Sequence, residues 1–243
     1  MGSGNVLAIM SKYPTPGTVK TRLGAALSMD ASCELYRAFL LDIQCRFSVL
    51  TSPIYWAHAP CEAQFARLFA EPVNTLPSIS ANLAHALRST FERLSAAGYE
   101  RIVVMSSDSP HLPLAWIAAA FEALTSHDVV LGPTEDGGYY LVGQRGQPHD
   151  LFTSIPMSTG SVQEQTMRAA RQQHLSTYLL PVTFDVDEME DLMKLQALLQ
   201  AQAATIAMPN TAAFLQQLRT GTQRMMQRQI SCIRNEGHEQ TRN

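Results

Sequence analysis

The chain lacks several features that mark common classes of protein. Its 243 residues include only four cysteines, and no two of them form a C-x-x-C pair. The sequence therefore indicates neither a structural zinc site nor a redox dithiol. The seven histidines show no H-x-x-x-H or other ligand spacing, and no arrangement for a serine nucleophile stands out.

Charge and long apolar runs are also scarce. Charged residues make up 16% of the chain and leave a net charge of −3, which gives no reason to expect nucleic acid as the main partner. The longest apolar runs, 102–105 and 116–121, are far shorter than the roughly 20 residues that span a bilayer. No secretory leader is visible after Met1. We therefore expect a cytoplasmic protein that binds neither membrane nor nucleic acid.

What the chain does contain is a regular alternation of strand and helix patterns. Short apolar runs predict strands near residues 5–10, 54–57, 102–105, 129–131, 139–142 and 178–180. Helical spacing predicts helices after Ser28, from Asn82 to Ala96, after Pro113, and over 162–173, 188–202 and 212–218. Leu83, Leu87 and Phe91 are predicted on the buried face of the second helix. The alternation predicts a three-layer α/β/α fold, Rossmann-like, with a mostly parallel central sheet and helices on both faces.

The C-terminal part differs in composition from the rest. Beyond Pro209 the chain is poor in strand-forming residues, and 219–243 carries five arginines and two glutamates among glutamines. Such a polar tail is typical of a disordered or partner-contacting extension. We predict one α/β domain over 5–205 and a helical, polar and partly disordered extension over 206–243.

An acidic residue follows the apolar strand 102–105. Asp108 stands in Ser107-Asp108-Ser109-Pro110, where the proline ends regular pairing. A carboxylate at the carboxyl end of a parallel strand suits Mg²⁺ or Mn²⁺, which take one or two protein oxygens together with substrate phosphates. The structural alternative is an aspartate that caps its own turn.

A second acidic segment, Asp185-Val186-Asp187, precedes the last predicted helix of the domain. Asp187 and Glu190 have the spacing of a capping box, which predicts Asp187 as the helix N-cap. Asp185 has no such structural role and is the better candidate for a second metal ligand. Two carboxylates from different strands suit an octahedral Mg²⁺ that bridges phosphates.

A basic loop follows the first predicted strand. Lys20 and Arg22 come shortly after Gly17, an arrangement suited to gripping phosphate oxygens. The loop is not a P-loop, because Val19 and not glycine precedes Lys20. Alternatively, Lys20 and Arg22 are ordinary surface charges at a helix start.

A glycine pair lies in Asp136-Gly137-Gly138-Tyr139. The glycines would let the backbone approach a ligand closely, and Asp136 could bond hydroxyl groups of a sugar or acyl group. The alternative is a type I′ hairpin turn, for which Asp-Gly is a common choice.

Four ordered motifs resemble one bacterial family of transferases. They lie at 10–23, 107–110, 132–141 and 185–187 and, with 155–159 and 163–166, extend the resemblance over residues 5–200. The chain is similar to the glycosyltransferase-A-like (GT-A) family known as cofC-like or radical-SAM/selenodomain-associated transferase 1 (DUF2064). That family looks related to 2-phospholactate guanylyltransferase and to the molybdenum-cofactor nucleotidyltransferases.

The resemblance implies a nucleotide-diphospho-sugar transferase fold, with Lys20 and Arg22 near phosphates and Asp108 and Asp185 as ligands of Mg²⁺ or Mn²⁺. Asp136 to Tyr139 would line the acceptor or sugar side. The candidate substrate-binding residues in and beside the motifs are Gly17, Asn82, Ser107, Pro110, Asp136, Gly137, Gly138, Tyr139 and Ser158.

We therefore expect a metal-dependent nucleotidyltransferase or glycosyltransferase with a nucleoside triphosphate or nucleotide-sugar donor. Lys20, Arg22 and Asp108 are its candidate catalytic residues, and the sequence specifies neither the acceptor nor an oligomeric state. The alternative is a catalytically idle nucleotide- or sugar-binding module on the same fold. It is motivated by the Ala81-Asn82-Leu83-Ala84 segment, where the family usually has a Gly-Asp-Leu-Gly-like helix start.

Overall fold

The computed structural model describes residues 4–61, 63–80, 82–157, 159–202 and 206–220. The strands of this part are β1 (Asn5–Lys12), β2 (Ile54–Ala59), β3 (Asn74–Pro77), β4 (Arg101–Ser106), β5 (Val129–Pro133), β6 (Tyr139–Arg145) and β7 (Thr177–Leu179). They form one seven-stranded sheet in the order β3-β2-β1-β4-β6-β5-β7.

The helices alternate with these strands along the chain. They are α1 (Thr21–Ala26), α2 (Met29–Phe47), α3 (Leu83–Ala96), α4 (Leu114–Ala123), α5 (Val162–Gln172) and α6 (Met189–Ala201). Phe65–Leu68 forms a 3₁₀ turn, and residues 209–220 are also helical. None of the described helices is long and apolar enough to cross a membrane.

Every pair of neighbouring strands is parallel except the pairs that include β6, which runs antiparallel to both β4 and β5. The mostly parallel sheet is therefore confirmed. Because β6 begins where β4 and β5 end, the turn over 134–138 lies at the same edge of the sheet as the loops that follow β1 and β4.

The sheet is covered on both faces. In β1, Leu7 and Ile9 pack into an apolar cluster with α2, α4 and α6, whereas Val6 and Ala8 pack into a second cluster with α3 and α5. Successive residues of a strand point to opposite faces, so one continuous apolar run serves both clusters. This arrangement confirms the predicted three-layer architecture.

Three details of the elements differ from the sequence-based prediction. Leu83 is 45% exposed, because the buried face of α3 begins one residue later, at Ala84. The capping box of α6 is formed by Glu188 and Asp191 and not by Asp187 and Glu190. The prediction also lacked β3, a strand of four residues that ends in a proline.

A buried carboxylate anchors the last described helix to α2. Asp42, which is fully buried, accepts hydrogen bonds from the backbone N–H groups of Asn210 (3.0 Å) and Thr211 (2.8 Å) and from the Asn210 side chain (2.8 Å). Ile206, Met208 and Leu215 join the apolar cluster of α2. The polar tail over 219–243 lies outside the described residues from 221 onward.

Substitution of Asp42 should therefore loosen this helix. We expect Asp42→Ala to lower the free energy of unfolding by about 2–3 kcal/mol, because it leaves buried N–H donors without partners. Urea unfolding followed by circular dichroism measures the loss. Asp30→Ala, an exposed position in the first turn of the same helix, should cost less than about 1 kcal/mol. Equal losses for the two variants would contradict the anchoring role.

Candidate active site

A buried lysine stands between two acids at the carboxyl edge of the sheet. Lys20 is the N-cap of α1 and has a left-handed backbone (φ 48°), which costs a non-glycine residue about 1 kcal/mol. Its Nζ lies 2.5 Å from Asp108 Oδ1 and 2.9 Å from Asp187 Oδ1. The fold thus brings one cation and two carboxylates together from three distant segments of the chain.

The lysine and the two aspartates of this ion-pair cluster differ in their exposure to solvent. The Lys20 side chain is 2% exposed, whereas those of Asp108 and Asp187 are 41% and 45% exposed. Burial alone would lower the pKa of Lys20, but attraction to the two carboxylates outweighs it and raises this pKa above its usual range. Burial likewise opposes ionisation of Asp108, yet Lys20 holds the pKa of Asp108 below its usual value. Both groups are charged at neutral pH.

The segment 183–187 carries the other two acids and is tied to the loop after β4. Val186 N–H donates to the Asp108 carbonyl (2.9 Å), and the buried Ser109 hydroxyl donates to Asp185 Oδ1. Burial and then the charge of Asp108 raise the pKa of Asp185 to about 7, against the opposing effects of Ser109 and Lys20. Asp185 is therefore partly protonated at neutral pH.

Two residues of α2 fix the loop that presents Asp108. The Tyr36 hydroxyl accepts a hydrogen bond from Lys12 N–H (3.0 Å) and bonds the Ser107 hydroxyl (2.8 Å). The Arg46 guanidinium donates to the carbonyls of Pro110 and Leu112. Sequence reasoning missed both residues, because inside an amphipathic helix they look like any polar or aromatic residue.

His111 contacts the segment 183–187 through two of its residues. Its Nε2 lies 3.0 Å from Thr183 Oγ1, and its ring stacks on Phe184 at 4.3 Å. Burial, together with the positive charge of Arg46, lowers the pKa of His111 to about 4. The imidazole is therefore neutral at pH 7 and acts as a packing group, as expected for a histidine without ligand spacing.

Several predicted substrate-binding residues have structural partners. Ser107 and Pro110 are buried on either side of Asp108 in the chain. The Ser107 hydroxyl bonds the Tyr36 hydroxyl, and the Pro110 carbonyl accepts a hydrogen bond from Arg46. Asn82 caps α3 by accepting a hydrogen bond from the backbone of the third residue along (3.2 Å).

The other members of the basic loop are exposed. Gly17 has a left-handed backbone (φ 79°) in an exposed turn before Lys20. Arg22 is 71% exposed, and its guanidinium lies 3.5 Å from the Glu188 carboxylate. Arg22 therefore remains available to a ligand that approaches from solvent.

The turn over 134–138 is closed by its own side chains. Asp136 Oδ1 accepts hydrogen bonds from Thr134 Oγ1 (2.5 Å) and Gly138 N–H (3.1 Å). Gly137 has a φ of 85°, and a Cβ there would lie 2.0 Å from the Gly160 carbonyl oxygen. Asp136 lacks the positive φ that a type I′ turn requires, so that alternative is wrong. The glycine is needed because another backbone segment passes close to it.

The remaining predicted residues of this region have different surroundings. Tyr139 packs against the apolar cluster of α3 and α5, and its hydroxyl is buried. Ser158 lies outside the described residues. The turn itself is joined to the acidic segment, because Glu135 N–H donates to the Thr183 carbonyl (2.9 Å).

The structure thus brings together Lys20, Asp108 and Asp185, and it adds Asp187. A sequence feature could have indicated Asp187: in an extended segment, residues two apart face the same side, so Asp185 and Asp187 can point to one site. The prediction of Asp187 as the helix N-cap assigns it a structural role instead. The pairs 187/190 and 188/191 both have capping-box spacing, so spacing does not identify the N-cap.

The donor set fits a hard divalent cation. All the acidic side chains of the site offer oxygen atoms, and the Lys20 ammonium group already lies between Asp108 and Asp187. Within the described residues no set of three or more histidine, cysteine, aspartate or glutamate side chains could hold a metal ion. A site of one or two carboxylates, completed by water and phosphate oxygens, is what Mg²⁺ commonly uses.

A family model described as an uncharacterized protein conserved in bacteria (DUF2064) matches residues 45–159. The match confirms the family resemblance over the motifs at 107–110, 132–141 and 155–159. A comparison with curated proteins finds no match.

The fold is similar to those of solved bacterial proteins. One, from Desulfovibrio desulfuricans G20, carries the name of a candidate nucleotide-diphospho-sugar transferase; it is 28% identical over 90% of this chain and 96% of its own, with a TM-score of 0.82. A cytidylyltransferase from Leptospira borgpetersenii is 8% identical over 90% of this chain and 95% of its own, with a TM-score of 0.53. The bifunctional IspDF of Campylobacter jejuni is 10% identical over 77% of this chain and 53% of its own, with a TM-score of 0.53. The last two show a shared fold alone.

Proposed function

We propose that the protein is a metal-dependent transferase with a nucleotide donor, and that it transfers a nucleotidyl group from a nucleoside triphosphate. The observation that carries this proposal is the buried ammonium of Lys20 between half-exposed carboxylates of Asp108 and Asp187. The cluster lies at the carboxyl edge of the sheet, where open α/β folds bind their ligands.

The comparisons support the class of reaction. The D. desulfuricans protein, whose name is that of a candidate nucleotide-diphospho-sugar transferase, shares the fold over almost the whole of both chains. A nucleotide-sugar donor and a nucleoside triphosphate donor present the same group to the protein. In both, a nucleoside carries a diphosphate. We favour nucleotidyl transfer because the basic loop of Lys20 and Arg22 directly follows β1, where it can grip a phosphate chain.

The residues of the site have three roles in this proposal. Asp108 and Asp185 would hold Mg²⁺ or Mn²⁺, which when bound neutralises charge on the donor phosphates. Lys20 and Arg22 would donate hydrogen bonds to the phosphoryl or leaving-group oxygens as negative charge develops there. Asp136 and Gly137 would shape the wall that faces the acceptor or sugar.

Ligand screening and product analysis test the proposal. We expect nucleoside triphosphates to raise the melting temperature with Mn²⁺ and to lose that effect when EDTA is added. Turnover with an acceptor should release pyrophosphate, whereas glycosyl transfer would release a nucleoside diphosphate. Stabilisation that survives chelation, with neither product formed, would show an idle binding module instead.

A further inference from the structure

We propose that Lys20 and a divalent cation exchange at one position: Lys20 is the resident counterion of Asp108 and Asp187, and it leaves them when the metal binds. This inference rests on the metal dependence of the proposed function, but it concerns a different event, the displacement of a side chain from its own ion pairs. It also places Asp187, together with Asp108, beside the bound cation.

The Lys20 ammonium group contacts both acids at once. Its Nζ lies 2.5 Å from one oxygen of Asp108 and 2.9 Å from one oxygen of Asp187. The second oxygen of Asp108 accepts a hydrogen bond from the Ser106 hydroxyl (3.1 Å). A cation that binds both acids would therefore use the same two oxygens that Lys20 contacts.

The charges of the cluster do not balance. Two carboxylates, Asp108 and Asp187, contact one ammonium group, so the ion pairs leave negative charge uncompensated. A divalent cation would compensate more of this charge than one ammonium does. Both cannot use the same oxygens, because two cations a few ångströms apart repel each other strongly in a partly buried site.

Lys20 and the two carboxylates differ in their access to solvent. Lys20 approaches the acids from the protein side, where it is 2% exposed, while both carboxylates are open to solvent on their other side. The left-handed backbone of Lys20 follows the left-handed Gly17 in the same short loop. Release of Lys20 would let this backbone relax and carry the ammonium toward solvent, where donor phosphates arrive.

Removal of the ammonium should therefore strengthen metal binding. We expect Lys20→Met to bind Mn²⁺ roughly tenfold or more tightly than the unaltered protein, as measured by isothermal titration calorimetry without nucleotide. Lys20→Arg keeps the cation and should stay close to the unaltered protein. Lys12→Met removes an exposed cation that acts on Asp108 only at a distance, and it should change the affinity by less than about threefold. Equal or weaker Mn²⁺ binding by Lys20→Met, or no binding by either protein, would overturn the exchange.

A second measurement uses the unaltered protein and so does not depend on how a variant folds. Amine acetylation, followed by mass spectrometry of peptides, should modify Lys20 slowly because it is buried and ion-paired. Mn²⁺ should speed this modification several-fold relative to Lys194, a half-exposed lysine on α6. Lys20 reactivity that Mn²⁺ leaves unchanged would refute the displacement.

The two proposals fail in different ways. If Mn²⁺ binding depends on Lys20 but no nucleotide is turned over, the exchange stands and the transferase proposal fails. If pyrophosphate is released while Lys20→Met and the unaltered protein bind Mn²⁺ equally, transfer stands and the exchange is wrong.

Discussion

Asp108→Ala should lower kcat/KM for the nucleotide donor by at least about 10³-fold, because it removes the acid on which both the metal and Lys20 depend. The loss has two physical causes. The metal loses a charged ligand, and the buried Lys20 ammonium loses the carboxylate 2.5 Å away that helps to hold it in place. Pyrophosphate release measures the rate, and thermal shift should show that nucleotides no longer stabilise the variant in the presence of Mn²⁺.

Two further variants separate charge from folding. Asp108→Asn keeps the side-chain volume and a hydrogen bond with Ser106, so it should fold as the unaltered protein does while losing most of the activity. Glu122→Gln, an exposed acid on α4, removes one negative charge away from the site and should leave the rate within about twofold. Retention of more than a tenth of the activity by Asp108→Ala would refute the metal-binding role.

Asp185→Asn should make the protein more stable at pH 8 and give little gain at pH 4.5. The folded state raises the pKa of Asp185 from 3.8 to about 7, mainly by burial. Between these values the folded chain binds a proton that the unfolded chain has released, so stability falls as pH rises. We expect the advantage of the variant over the unaltered protein to grow by about 2–4 kcal/mol across this window.

Urea unfolding in EDTA at a series of pH values measures this difference without interference from metal. Ser109→Ala is the matched variant, because it removes the hydroxyl that favours the ionised carboxylate. It should make the loss of stability larger and extend it to higher pH, whereas Asp185→Asn should remove the loss. An advantage of Asp185→Asn that is the same at pH 4.5 and pH 8 would show that Asp185 ionises normally in the folded protein.

The parts of the site that the sequence predicts are those with a local pattern. Asp108 is recognisable because it follows an apolar strand and stands beside a proline-containing turn. Lys20 is recognisable because it lies in the loop after an apolar strand, three residues beyond Gly17. The layered fold follows for the same reason, since strand and helix periodicities are local. β3 is the exception among the strands, because four residues that end in proline carry little periodic information.

The parts that the sequence does not predict depend on distant contacts. Tyr36, Arg46 and Asp42 all lie on α2, and their partners are 24 to 169 residues away along the chain. Asp187 and Glu188 compete as the N-cap of α6, and local spacing alone cannot choose between them. The ion pair with Lys20, which joins distant parts of the chain, shows that Asp187 belongs to the site.

The ion pair between Lys20 and Asp187 joins the two ends of the α/β domain. Lys20 and Asp187 are 167 residues apart, so their ion pair can form only after the chain has closed a very long loop, which is a late and entropically costly event. A ribosome-bound chain that has not yet released residue 187 would leave Lys20 without one of its two partners. Because Lys20 and its two acids form the proposed site, we expect nucleotide binding only after this last contact has formed. During denaturation, nucleotide binding should be lost in the same transition as the last tertiary structure.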